Sequence, residues 1–359
     1  MNNELTDLIQ IRSGQKVYNA GLPRFPRNFT RDGIIAALLF GDSEMMRAQL
    51  RFCALHQGAK HNPLTGEEPG KIHHEFPGYP LRDHMTTYNA CDAAAFYLIG
   101  HGWLQQDAPD SDFLGEFRES IERAAGYIEN HLNSDGLFEE SPNYCGAEQF
   151  ALRVTYWKDS VILDRTDGEP AYPAVFSLAH MQNLAGMRAA TMLLGDDRLA
   201  VISKKMADAI PKLFDEKIGS LFTAIDSQGP IRAITSDALH ALYYLEVDDL
   251  TAEQIDSIVL ASEQLESQIG YMLMTPEDGH RMERIYHADT VWPFEQALIH
   301  AGARKFGLER VMRVCQRIMR VLPDSTSPEL LSIKVLEPGI ASNPQLWTIA
   351  AKSYFKATS

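Results

Sequence analysis

The sequence predicts an all-α fold, and three observations carry that expectation. Apolar residues recur at helical spacing through most of the 359 residues. Strand signals are few and short. No Gly/Ser linker, charge block or low-complexity tract marks a domain boundary. Ordinary domain size would divide this length into two or three units. About a dozen helices, at about thirty residues for each helix and its loop, fit one large helical domain over 1–359 instead. There is no strict repeat, so a closed double ring of helices and a helical solenoid both satisfy the pattern.

The elements follow in order. The longest apolar stretch is Gly33 to Gly41. In Ser43 to Gln57, Met46, Leu50 and Ala54 fall at i, i+4 and i+8, with Ser43 suited to the N-cap. Thr86 to Gly100 is alanine-rich and stops at glycine, as helix C-termini prefer. Asp112 to Leu132 reads as a long amphipathic helix closed by Asn133-Ser134-Asp135-Gly136, and Ala174 to Gly195 as another. Further helices are expected near 196–217, 235–246, 251–267, 289–307, 308–322 and 344–356. Leu221 to Ile225, before Asp226-Ser227-Gln228-Gly229, reads as the start of a short hairpin, and parts of 330–336 as a strand.

Composition excludes several function classes. Net charge is −15 and apolar residues make up 45%, so the chain is globular and poorly suited to nucleic acid or anionic membrane surfaces. No segment reaches the ~20 apolar residues of a membrane span. The opening MNNELTDLIQ lacks the basic start of a secretory signal, so a cytoplasmic protein is expected. Cys53, Cys91, Cys145 and Cys315 lie far apart and read as buried thiols. No dinucleotide, P-loop or serine-hydrolase motif occurs, and no cofactor is expected.

Several inter-helix loops combine aromatic rings with carboxylates and basic groups. They are Pro26 to Gly33, Gly70 to Phe76, Tyr88 to Asp92, Tyr156 to Ser160, Ile285 to Glu295 and Ser327 to Leu331. Sugar sites need that mixture: flat faces for ring C–H groups, and forked donors and acceptors for hydroxyls. Lys71, His73, His74 and Glu75 invite a metal, but HHEF is not HExxH, and a substrate-positioning loop is the preferred reading. Asp92 is flanked by Ala90, Ala93, Ala94 and Phe96, which read as core, so its carboxylate needs a buried partner.

The wording and order of these loops resemble the (α/α)6-barrel glycoside hydrolases of the glucoamylase, bacterial glycogen-debranching and mannosylglycerate-hydrolase type. TRDG at 30–33, GKIHHE at 70–75, YNACDA at 88–93, YWKDS at 156–160, YHADTVWPFEQALIHAGARKFG at 286–307, PELL at 328–331 and NPQLW at 343–347 each match a family segment, in family order over residues 24 to 350. The chain departs in three places. Ala288-Asp289 stands where the family usually has a glycine. Asp164-Arg165 follows WKDS where many relatives have another Asp or Trp. No accessory β-sandwich domain is expected, which fits the smaller relatives that cleave short glycosides.

The resemblance implies an inverting hydrolysis of a small α-glucoside or related α-glycoside, glycerate glycosides included. It makes Asp159 the general acid, with Tyr156 and Trp157 as apolar cover that would raise its pKa. It makes Glu329 the general base, with Glu337, Glu295 and Glu283 as runners-up. Arg31 and Asp32 would hold hydroxyls of the sugar, and Lys71, His74, Glu75, Tyr88, Asp92, Trp157, Lys158, His287 and Trp292 complete the expected substrate site. Two alternatives stay open. A sugar epimerase or isomerase on the same toroid would need a histidine pair, from His73, His74 and His287. A non-catalytic relative would bind sugar and not cleave it. The partner expected is a small carbohydrate, and the oligomeric state stays open.

Overall fold

The computed structural model describes residues 3–159, 170–279, 286–334 and 341–358. Thirteen α-helices occur among the described residues: α1 (Asn3–Asp7), α2 (Thr30–Phe40), α3 (Ser43–Leu55), α4 (Ala93–Asp107), α5 (Ser111–Asn130), α6 (Ser177–Leu194), α7 (Asp197–Asp208), α8 (Asp237–Ala241), α9 (Ala252–Ser262), α10 (Pro276–Gly279), α11 (Pro293–Lys305), α12 (Glu309–Gln316) and α13 (Leu346–Thr358). The described strands are two to four residues long.

Packing sorts the helices into two sets. α2 lies against α13 and α4, α4 against α6, α6 against α8, α8 against α11, and α11 against α13, so this circuit of six returns to its start. A solenoid whose repeats touch only their neighbours would not bring α13 onto α2. α3, α5, α7, α9 and α12 lie against members of the circuit. The sequence explains the division. α2, TRDGIIAALLF, buries nine of its eleven residues, and a helix apolar nearly all round must be enclosed. α5 and α12 instead carry one apolar stripe, with acids and bases on the other face. Small residues set how closely the inner helices approach. A Cβ at Gly186 of α6 would stand 2.9 Å from the Cα of Ala95 in α4, so the alanine-rich run of α4 and this glycine permit the contact together. One hydrophobic cluster runs from Leu8 to Phe355.

Several elements differ from the sequence expectation, most for a tertiary reason. The helix expected from Thr86 begins only at Ala93. Before it, the Asn89 side chain accepts from Ala151 N, and Cys91 N donates to Thr155 O, which draws this stretch out of helical geometry. The helix expected from 289 starts at Pro293, because Thr290–Val291 pairs with Leu331–Ser332 instead. That pairing realises the strand expected within 330–336 and lays the 286–295 segment beside the Glu329 loop. Ala174–Phe176 is likewise strand, joined to the hairpin 224–226/229–231, before α6 begins. The helix expected over 196–217 ends at Asp208, where Ile210–Leu213 tightens into a 3₁₀ turn around Pro211.

No helix among the described residues is long and apolar enough to cross a membrane.

Candidate active site

Residues from several of the inter-helix loops lie at the N-terminal ends of α2, α4, α8, α11 and α13. At the start of α2, Arg31 sends Nε and Nη2 to the two carboxylate oxygens of Asp92, at 3.0 and 2.8 Å. Both residues are buried, so Asp92 is the paired carboxylate its alanine-rich setting demanded. Asp92 leaves Nη1 of Arg31 unused. The adjacent Asp32 accepts from Gln345 Nε2 at 3.1 Å. Burial drives the Asp32 carboxyl up to about 8; Arg31 opposes that rise, and the charge on Glu329 adds to it. Burial thus favours the protonated form of Asp32, which can donate as well as accept.

Residues 155–159 form the second wall. Tyr156 stacks on Phe176 with centroids 4.9 Å apart and donates to Asp237 at 3.3 Å. Trp157 packs edge-on against Phe294, Trp292 and His287. Lys158 is fully enclosed, its Nζ 2.6 Å from Ser236 Oγ, 2.8 Å from Asp237 and 3.2 Å from Glu295. Asp159 then emerges with its side chain 43% exposed and 3.8 Å from Nδ1 of His287. His287 is buried and stacked on Trp292; burial, with Lys158 nearby, lowers its pKa to about 3 and keeps the ring neutral.

The third wall carries Glu329, which is 2% exposed. Its Oε1 accepts from the Tyr286 hydroxyl at 2.6 Å and its Oε2 from Ser342 N at 3.1 Å. Burial raises this carboxyl to about 7; the two hydrogen bonds and Arg24 restrain the rise, and the charge of Asp159 adds to it. Glu329 thus lies within electrostatic reach of Asp159 on one side, and Asp32 within reach of Glu329 on the other. Glu329 stands near the pH at which a general base works well. Replacing Tyr286 with Phe removes a hydrogen bond to the charged form, worth about 1.5–3 kcal/mol. The acid limb of the kcat/KM–pH profile should then move up by about one unit or more. An unmoved limb would mean that Glu329 does not set it.

Other expected residues lie deeper or further off. Lys71 is enclosed with Glu68 at 3.0 Å and Glu140 at 3.9 Å, so its ammonium, like that of Lys158, is occupied by carboxylates rather than presented to solvent. His73 sits among the rings of Phe52, His56 and Phe76, and burial lowers it to about 3. His74 is edge-on to Phe29 at 5.1 Å. Glu75 pairs with Arg27 and accepts from Thr86. Tyr88 donates to His56 O at 2.9 Å. Trp292 Nε1 donates to Thr290 at 3.2 Å, which makes it a core anchor as well as a wall. Glu295, a runner-up base, is fully buried; burial alone would raise it, but Lys158, His240 and Ser236 hold it below the usual range. Glu283, Glu337, Ser160 and Asp164-Arg165 lie outside the described residues.

Sequence reasoning missed Tyr286, Gln345, Asp237 and Ser342 as members of the site. Tyr286 and Gln345 stood inside the YHADT and NPQLW motifs; Asp237 and Ser342 lay in no recognised motif. The departure at Asp289 has a physical reading. This residue adopts φ of 54°, the left-handed region that favours glycine and that Asp tolerates. Among the described residues no three His, Cys, Asp or Glu are grouped to hold a metal ion.

No family model and no curated protein matches the sequence. Solved structures do match the fold. The GH63 mannosylglycerate hydrolase from Thermus thermophilus, in its complex with glucose, covers 99% of both chains at a TM-score of 0.69 and 13% identity. The chain shares the fold of this hydrolase. The same Thermus enzyme with Tris and D-glycerate matches at 0.67 over 99% of both chains, again at 13% identity. A GH78-family rhamnosidase of Bacillus sp. GL1 matches at 0.62 and 14% identity over 95% of this chain and 33% of its own. Both neighbours are of the kind that the loop motifs resemble.

Proposed function

We propose that the chain is a single (α/α)6-barrel glycoside hydrolase domain that cleaves a small α-glycoside with inversion. The observation that carries this reading is the pair of carboxyls in contrasting settings. Asp159 is half-exposed beside a neutral His287, while Glu329 is buried, poised near neutrality and within electrostatic reach of Asp159. Inverting hydrolysis needs one carboxyl that gives a proton to the leaving oxygen and one carboxylate that takes a proton from water. Asp159 is assigned the first role. Glu329 takes the second, the water attacking the anomeric carbon as the glycosidic C–O bond breaks. Such pairs stand roughly 6.5–9.5 Å apart to admit that water. Arg31 Nη1 and protonated Asp32 are assigned to sugar hydroxyls, with Trp157 as the apolar wall.

The substrate class proposed is a short α-glycoside, with a glycerate-type aglycone as the first member to try. The Thermus neighbour binds D-glycerate. In this chain Arg24 lies 5.7 Å over the Tyr286 ring and acts on Glu329, supplying positive charge suited to an aglycone carboxylate. The isomerase alternative gains nothing from the histidines, which occupy three separate aromatic settings.

A panel of α-glucosides and α-mannosides of glycerate, glycerol and aryl alcohols, followed by NMR, tests this reading. The expected result is hydrolysis with the β-anomer released first. The α-anomer first would overturn inversion, and sugar binding without hydrolysis across the panel would favour the non-catalytic reading.

A further inference from the structure

The segment leading into Glu329 is gripped by two side chains of opposite charge, both from outside the site. Lys352 of α13 is buried, and its Nζ donates to the carbonyls of Pro323, Asp324 and Thr326 at 2.7, 3.2 and 3.2 Å. Glu4 of α1 takes the next residue. Its Oε1 accepts from Ser327 N at 3.0 Å and its Oε2 from Ser327 Oγ at 2.8 Å. Ser327 is itself fully buried, and Gln345 N donates to its carbonyl at 2.8 Å. Two residues further on, Glu329 N donates to Ser342 O at 2.9 Å and its carboxylate accepts from Ser342 N.

The chemistry of the grip is complementary. An ammonium has three donors and no acceptor, which suits converging carbonyls. A carboxylate accepts from an amide and a hydroxyl at once, and such charge-assisted bonds are about twice as strong as neutral ones. Both side chains act on the same five-residue stretch. Glu4 and Lys352 also feel each other: burial lowers the Lys352 pKa, and the Glu4 charge opposes that. The loop is therefore fixed from both sides, immediately before the residue that must hold the attacking water.

We propose that Glu4 and Lys352 are positioning residues for Glu329, together clamping residues 323–327 so that its carboxylate stays on the Tyr286–Ser342 seat. The proposal rests on Glu329 being the base. Misplacing a reacting group by about 1 Å can cost on the order of a hundredfold in rate. Neither Glu4 nor Lys352 is expected to contact substrate, so the loss should fall on kcat.

The experiment compares Glu4→Gln and Lys352→Met with wild type in kcat, KM and amide hydrogen exchange, with Lys352→Arg as the conservative partner. The expected result is a drop in kcat of about tenfold or more with KM within about twofold. Exchange at Ser327 and Glu329 should quicken, with partial rescue by Lys352→Arg. In a Glu329→Gln background the same changes should cost no further turnover. Unchanged exchange would overturn the clamp. Faster exchange with unchanged kcat, or an equal loss in both backgrounds, would overturn its action through Glu329. If wild type cleaves no glycoside, the functional reading falls, and the exchange arm alone then judges the clamp.

Discussion

Asp159→Asn and Glu329→Gln should each lower kcat by about 10²–10⁴-fold while leaving the fold intact. A positioned acid or base contributes that much, and each substitution keeps shape while removing the transferable proton or the basic lone pair. The two differ in their pH signatures. Glu329 must be ionised to take a proton from water, and burial places its carboxyl at about 7. Wild-type kcat/KM should therefore carry a limb near pH 7. Glu329→Gln should flatten that limb as well as depress it, because nothing remains there to titrate. Asp159→Asn should keep a limb set by Glu329 but move it downward, because the Asp159 charge that raises Glu329 is gone, and its loss should shrink for substrates with good leaving groups, such as activated aryl glycosides, which need less protonation. Unfolding midpoints should stay close to wild type for Asp159→Asn, whose side chain is half-exposed. Near-normal turnover in either variant would remove that residue from its role.

The parts of this site that could be read in the sequence are those whose physics is local. Arg31 and Asp92 are an example. A carboxylate among alanines must be buried, a buried carboxylate must be paired, and Arg31 proves to be the partner over a separation of sixty-one residues. The α2 and α5 helices were legible because an amphipathic or wholly apolar period needs no distant information. Lys158 shows the limit. Its neighbours in sequence are a site tryptophan and the candidate acid, so it was expected to touch substrate. The decisive facts are Asp237 and Glu295, seventy-nine and one hundred and thirty-seven residues away, which no periodicity reveals. The contacts of Tyr286, although it lay inside a recognised motif, and of Ser342 were hidden for the same reason. Both act where the loops that carry them meet over Glu329, and the short 290–291/331–332 pairing brings the Tyr286 segment beside it. The late start of α4 belongs here too. Alanine content favoured helix from Thr86, and two hydrogen bonds from a loop some sixty residues away prevailed.

Lys158→Met should destabilise the protein by about 3–5 kcal/mol at neutral pH, in the range for breaking a buried ion pair from one side. The ammonium is the cation held between Asp237 and Glu295, both buried, and Ser236 donates to the same Glu295 oxygen. Methionine fills much of the volume, so the cost is electrostatic rather than a cavity. The sign with pH follows. In wild type Glu295 is held below its usual range, so its contribution is present above about pH 4.5 and fades as pH falls through the lowered value. Without Lys158 the desolvation that already opposes its charge is no longer offset, and protonation becomes favourable in the folded state. The defect should therefore be largest near pH 8 and shrink toward pH 5. Adding Asp237→Asn and Glu295→Gln should recover part of it, because the buried charges go with the cation. Denaturant unfolding at pH 5 and 8 measures both effects. A loss below about 1 kcal/mol, or one that ignores pH, would mean that water or His240 offsets these carboxylates in place of Lys158. Such water would also loosen the ground on which Asp159 stands. Tyr156 donates to the same Asp237, so two of the three residues before Asp159 are tied to this one cluster. Turnover of Lys158→Met should accordingly fall further at pH 8 than at pH 5, relative to wild type at each pH.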